Sequence, residues 1–241
     1  MDLPAMLADL RELVTCESPS DDRAAVARSA EVLAAVGHRR LGVEPERIVL
    51  DGRTHLRWRF GDGPSRVLLL GHHDTVWPLG SLARHPYEVA GELLRGPGCF
   101  DMKAGVVAIV AALAAIRAAG ARLRGQVSAH FVVSEEDGGL GAFGTLLRGY
   151  TGDACIITEP TSGALMTANA GALTFRIDVP GQATHGSTRY AGVSAIDAYL
   201  PIHRALARLE ARRNTGADPL MSDYPIPYPL SVGTVHSGVV L

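Results

Sequence analysis

The chain has 241 residues, 47% of them hydrophobic and 20% charged, with 23 basic against 25 acidic side chains for a formal net charge of -2. That is apolar material for one large core or two smaller ones, and too much for a disordered chain. The balanced charge excludes nucleic-acid binding through overall basicity, and equally excludes an acidic tail.

Two helices are expected to open the chain, near Pro4–Val14 and Arg23–Val36, where apolar residues recur at helical spacing. Asp2 and Asp9 stand where a signal peptide would carry basic residues, so the N-terminus reads as an amphipathic helix with Pro4 in its first turn. Ser18 to Asp22 offer caps for the second helix. His55–Phe60 and Arg66–Leu70 read as strands joined by the Gly61-Asp62-Gly63-Pro64 turn. The alanine-rich run from Ala104 to Ile116 falls short of the roughly 20 residues of a membrane span. It is expected as a buried helix, extending to Ala119 and closed by Gly120, with no membrane association. A strand at Gln126–Val133, a short helix near Ala142–Leu147 and a buried strand at Ala154–Ile157 follow. Strands alternating with helices predict an α/β layer with a largely covered sheet.

The pattern changes near residue 170, and a domain boundary is placed at 168 to 172, dividing the chain into 1–170 and 171–241. Ala172–Val179 alternates like a half-exposed strand, Ser194–Arg213 is an amphipathic helix, and Pro229–Val235 reads as another strand. Cys16, Cys99 and Cys155 form neither an even framework nor a CxxC pair, which points to a reducing, cytoplasmic setting. Lys103 is the single lysine of the chain.

Chemistry in an α/β sheet gathers in loops beyond strand C-termini. Four such loops are polar: Gly71-His72-His73-Asp74-Thr75, Gly96 to Lys103, Ser134-Glu135-Glu136-Asp137-Gly138-Gly139, and Thr158-Glu159-Pro160-Thr161. Singly each is weak. A lone HxD is usually a solvated loop, and an acidic triple usually caps a helix. Gly96-x-Gly98 suggests a dinucleotide loop, but Asp101 stands where the fingerprint needs glycine and would repel a pyrophosphate, so that oxidoreductase reading fails. Together, one imidazole and three or four carboxylates make a hard, oxygen-rich set suited to paired zinc or related divalent ions.

In order and spacing, GHHDTVWPLG (Gly71–Gly80), RGPGCFDMKAG (Arg95–Gly105), SEEDGG (Ser134–Gly139), TEPT (Thr158–Thr161) and GQATHGS (Gly181–Ser187) resemble one family of co-catalytic zinc metallopeptidases. That family includes glutamate carboxypeptidase, acetylornithine deacetylase, succinyl-diaminopimelate desuccinylase and aminoacylase. The resemblance implies an α/β zinc-peptidase-like catalytic domain, its mixed sheet covered by helices, with an inserted α+β lid or dimerisation domain. It implies two divalent ions, zinc first and cobalt or manganese as alternatives. His72 and Glu159 would be terminal ligands of one ion, Asp101 would bridge, and Glu136 would ligate the second. Glu135 would be the general base, Asp74 would orient His72, and His185 would reach a neighbouring subunit's site to stabilise the oxyanion. A cis peptide after Asp101 is implied too. The substrate would be a small peptide or N-acyl amino acid, and the full-length form a homodimer.

The family's second ion takes a further histidine after the lid returns to the catalytic domain. Here the sequence stops at Leu241, inside the lid, and His185, His203 and His236 are the histidines after Glu159. The expectation is therefore a metal-dependent amide hydrolase, incomplete at its C-terminus and at its second metal site. The alternative is an inactive metal-binding or dimerising remnant of such an enzyme.

Overall fold

A computed structural model of the chain describes residues 2–166, 171–221 and 223–237. The chain divides into two compact units, 1–171 and 172–241. Most of the expected boundary stretch, residues 167–170, lies outside the described residues.

In the first unit, α1 (Leu3–Thr15) starts where the Asp2 carboxylate accepts from the Ala5 N–H, and α2 (Arg23–Leu41) where Asp22 accepts from Ala25. Gly42, in the left-handed conformation at φ 67°, ends α2. A hairpin follows, β1 (Glu46–Leu50) and β2 (Arg53–Phe60). Its turn residues Asp51 and Gly52 both have positive φ (48° and 72°), the backbone of a two-residue type I′ turn. Strand β3 spans Arg66–His72, and a small hairpin of β4 (Glu88–Ala90) and β5 (Leu93–Arg95) precedes α3 (Ala104–Ala118). Then come β6 (Gln126–Val132), α4 (Leu140–Leu147) and β7 (Ala154–Ile157).

The five-stranded sheet runs β1-β2-β6-β3-β7. β1 and β2 are antiparallel to their neighbours, whereas β6, β3 and β7 are mutually parallel. It is the expected mixed sheet with helices packed on it. The core is formed against α1, α2 and α3, with Trp58 edge-on to Phe131 at 5.7 Å.

Several expectations change. β2 and β3 do not form a hairpin across Gly61–Pro64, because β6 inserts between them. Gly61 and Gly63 make room for that: a Cβ at either would stand 2.2 Å from the carbonyl oxygen of Gly125 or Arg124. β7 is not buried. Among the described residues it is a sheet edge paired to β3 alone, and all four of its residues are exposed. The apolar stretch Cys99–Ala118 is 20 residues, long and apolar enough by length and composition to cross a membrane. Its Val106, Val107, Ile109, Val110 and Leu113 are nonetheless buried in the core.

In the second unit, α5 (Ala195–Asn214) is capped by Ser194, which accepts from the Asp197 N–H. Among the described residues, neither Ala172–Val179 nor Pro229–Val235 forms a strand. For the latter the cause is visible: the Tyr228 and Leu230 N–H groups, donors a ladder would use, go to the Asn214 and Glu210 side chains of α5.

Candidate metal centre

Because β6, β3 and β7 are parallel neighbours, their C-terminal ends share one rim. In register, His72 at the end of β3 sits opposite Val132, and Leu70 opposite Ile157. The loops leaving β6 and β7 therefore deliver Glu135, Glu136 and Glu159 beside His72. The fourth contribution, Asp101, comes from the irregular turn Cys99–Lys103 ahead of α3, where the Asp101–Met102 peptide is cis.

His72 is 1% exposed. Its Nδ1 lies 3.0 Å from the Asp74 carbonyl oxygen and 3.5 Å from Asp74 Oδ1. Its Nε2 faces the carboxylates, with Asp101 Oδ1 at 3.2 Å, Glu159 Oε1 at 3.4 Å and Glu135 Oε2 at 4.0 Å. His72, Asp101 and Glu136 can each offer one ligand atom, all within 4.8 Å of one another. Asp74 is fully buried, and its Oδ2 accepts from the Ser20 hydroxyl at 2.7 Å.

Burial opposes charge on the His72 ring, but hydrogen bonds to Asp74 and Glu159, with their negative field, outweigh it and lift the imidazole to about 11. Burial would raise Asp74, yet the hydrogen bonds from His72 and Ser20 hold it below the usual range. Glu136, Glu135 and Asp101 go the other way. Glu136 is pushed up to about 7 by burial and by Asp101. Burial likewise raises Glu135; Glu159, Asp74 and Asp101 add to this and His72 works against it. Asp101 is raised by burial and by Glu159. Asp101, Glu135 and Glu136, crowded around one buried imidazole and resisting ionisation, form a donor set short of positive charge. One borderline nitrogen and several hard oxygens suit a divalent cation such as zinc. Among the described residues, that ligand group holds one imidazole.

His185 belongs to the second unit and is exposed there. It caps the turn Gly186–Ala191, its Nδ1 accepting from the Ser187 N–H at 3.2 Å and meeting Ser187 Oγ at 2.8 Å. Nothing in the sequence marks Ser20 as a partner of Asp74. The Ser18–Asp22 stretch reads as helix caps, and only Asp22 caps α2.

A family model described as peptidase family M20/M25/M40 matches residues 68–226. The chain belongs to that family. It is 29% identical over 202 residues to carboxypeptidase G2 of Pseudomonas sp. (strain RS-16), covering 80% of this chain and 48% of that one. It is 31% identical over 251 aligned positions to acetylornithine deacetylase of Edwardsiella ictaluri, covering 98% of this chain and 63% of that one. The chain thus spans about half to three-fifths of the length of these curated relatives. A tripeptidase structure from Staphylococcus aureus shares the fold at a TM-score of 0.56 and 21% identity, over 85% of this chain and 57% of that one.

Proposed function

We propose that the chain carries the metal site of a hydrolase that cleaves an amide bond of a peptide or N-acyl amino acid. The observation behind this reading is the His72 ring, held at Nδ1 by Asp74 and facing three carboxylates within 4.0 Å at Nε2. In this assignment His72, Asp101 and Glu159 hold one divalent ion, and Asp101 with Glu136 contribute to a second. When bound, the ions acidify a water and polarise the carbonyl to be cleaved.

Glu135 suits the proton transfers. It is about half exposed, and its surroundings raise its proton affinity towards the range useful in a base that must also act as an acid. A proton leaves the attacking water for Glu135 as the water oxygen bonds to the carbonyl carbon. The C–N bond then breaks, and Glu135 returns the proton to the amine. Asp74 keeps His72 in one tautomer throughout.

The relatives' names include a carboxypeptidase and an acetylornithine deacetylase, which supports the substrate class. The second unit, 172–241, is assigned as lid and dimerisation surface, with His185 serving the oxyanion of a partner subunit's site. The unpaired thiols of Cys16, Cys99 and Cys155 fit a reducing cytoplasm.

The test combines metal content per chain with hydrolysis of acylated amino acids and of peptides ending in glutamate. Glu135→Ala should retain metal and lose turnover by at least about 100-fold. Unchanged activity would remove Glu135 from its role, and bound metal without turnover in the parent would favour the metal-binding remnant.

A further inference from the structure

Between α1 and α2 lies the pentapeptide Cys16-Glu17-Ser18-Pro19-Ser20, and every one of its residues contacts either the turn before α3 or the loop after β3. The Cys16 carbonyl, with that of Leu13, accepts from the Lys103 ammonium at 3.0 and 2.8 Å, beside the turn that carries Asp101. The Glu17 carboxylate accepts the N–H groups of Gly80 and Leu82 at 2.8 and 2.9 Å. The Ser18 hydroxyl donates to the His73 carbonyl at 2.7 Å. Pro19 bridges to Thr75, flanked by Thr75 N–H to Ser18 O at 2.9 Å and Ser20 N–H to Thr75 O at 3.2 Å. The segment is a buckle that closes over the His72–Leu82 loop.

Its last residue reaches the chemistry. Ser20 is 6% exposed and donates to Asp74 Oδ2, leaving Oδ1 to face His72 Nδ1 at 3.5 Å. A fully buried carboxylate that loses one of its few donors can turn to find another, and the turn would carry Oδ1 away from the imidazole. We propose that Ser20 is a positioning residue, fixing the Asp74 carboxylate so that His72 Nε2 stays aimed at Asp101 and Glu159. This rests on the metal-site reading above and extends the chain of contacts one link beyond Asp74. Glu17, Ser18 and the Pro19 bridge hold the loop's backbone, whereas Ser20 alone of the five binds the side chain whose other oxygen faces His72 Nδ1.

The test uses the whole chain and zinc alone. Zinc affinity is read by competition with a chromophoric chelator for the parent, Ser20→Ala and Ser20→Cys, alongside thermal melts of the metal-free proteins. Cysteine nearly keeps the volume of serine but is a weak donor. Loss of an outer partner of a ligand weakens metal binding by about 10–100-fold, and one link further out the lower end is expected. Ser20→Ala should therefore bind zinc about 10-fold more weakly, and Ser20→Cys nearly as weakly, while both metal-free proteins still melt cooperatively. Parent-like affinity in Ser20→Ala, or full recovery in Ser20→Cys, overturns the proposal and leaves the metal site standing. A parent that binds no zinc overturns the metal-site reading itself, and this inference with it.

Discussion

Gly37 lies in the middle of α2, where replacing glycine by alanine ordinarily stabilises a helix by about 1 kcal/mol. Here the opposite is expected. A Cβ on Gly37 would stand 2.2 Å from Trp58 Cζ2 and 2.7 Å from Cη2. Carbon atoms rest at about 3.5–4.0 Å, so one partner must retreat by more than about 1 Å. Trp58 has little room for that. It is 1% exposed, its Nε1 donates to the Val43 carbonyl at 3.1 Å, and its ring stands edge-on to Phe131. Turning the indole would sacrifice that hydrogen bond, about 1 kcal/mol, on top of about 1–3 kcal/mol for overpacking. After the helix gain is subtracted, Gly37→Ala should be less stable by about 2 kcal/mol. Urea unfolding followed by circular dichroism measures this as a lower midpoint with an unchanged slope. A midpoint equal to or above the parent's would show that the helix and sheet slide apart freely, and would refute the reasoning.

His130 is 2% exposed on β6, its Nε2 2.9 Å from Ser128 Oγ and its ring edge-on to Tyr150. Burial, then the Arg57 charge, depresses it to about 4 against the opposing pull of Glu46. Between about 6.5 and 4 the unfolded chain binds a proton that the native state refuses, so stability is intact above 6.5 and falls as pH drops. By pH 5 this one ring accounts for about 2 kcal/mol. His130→Gln should flatten the pH dependence by that amount, read as the difference in unfolding free energy between pH 7.5 and pH 5; parallel curves would contradict it. Lys103, the single lysine, is 1% exposed and pushed down to about 8 by burial. An amine-acylating reagent at pH 8 should therefore label the native chain at its N-terminal amine and reach Lys103 only in denaturant. Mass spectrometry reports the second label, and rapid labelling of Lys103 in the native chain would show that its cage is open.

What could be read from sequence and what could not divide along physical lines. The parallel strands Arg66–His72, Gln126–Val132 and Ala154–Ile157 were visible as apolar runs, and each ends where polar residues abruptly begin. Parallel strands put those breaks on one rim, which is why the polar loops holding His72, Glu135, Glu136 and Glu159 group from local pattern, while the part each residue plays comes from the family resemblance. The hairpin before them carries an Asp51-Gly52 turn signal, but Glu46–Leu50 lacks the clean alternation that marks a strand. Partner choice is beyond periodicity: the same alternation that marks β2 also marks Ala172–Val179, and among the described residues only β2 finds a ladder. The run Ala154–Ile157 reads as buried because its residues are apolar, yet burial depends on neighbours, and among the described residues β3 is its only one in the sheet.

The least legible layer is the one that holds the site in place. Ser20 to Asp74, Glu17 to Gly80 and Lys103 to Leu13 join positions 54, 63 and 90 residues apart. Half of each pairing is a group any chain offers, a hydroxyl, an amide or a carbonyl. Ligands announce themselves by residue type, since few side chains bind a divalent ion. Supports do not, since serine serves as well for a cap as for a brace. The Ser18–Asp22 stretch shows both uses side by side: Asp22 starts a helix, and two residues earlier Ser20 braces the carboxylate that faces His72. A serine hydroxyl 2.7 Å from a fully buried carboxylate is no solvent-facing cap. Its energetic weight comes from the desolvation of its acceptor, a property of the folded state that the order of residues does not encode locally.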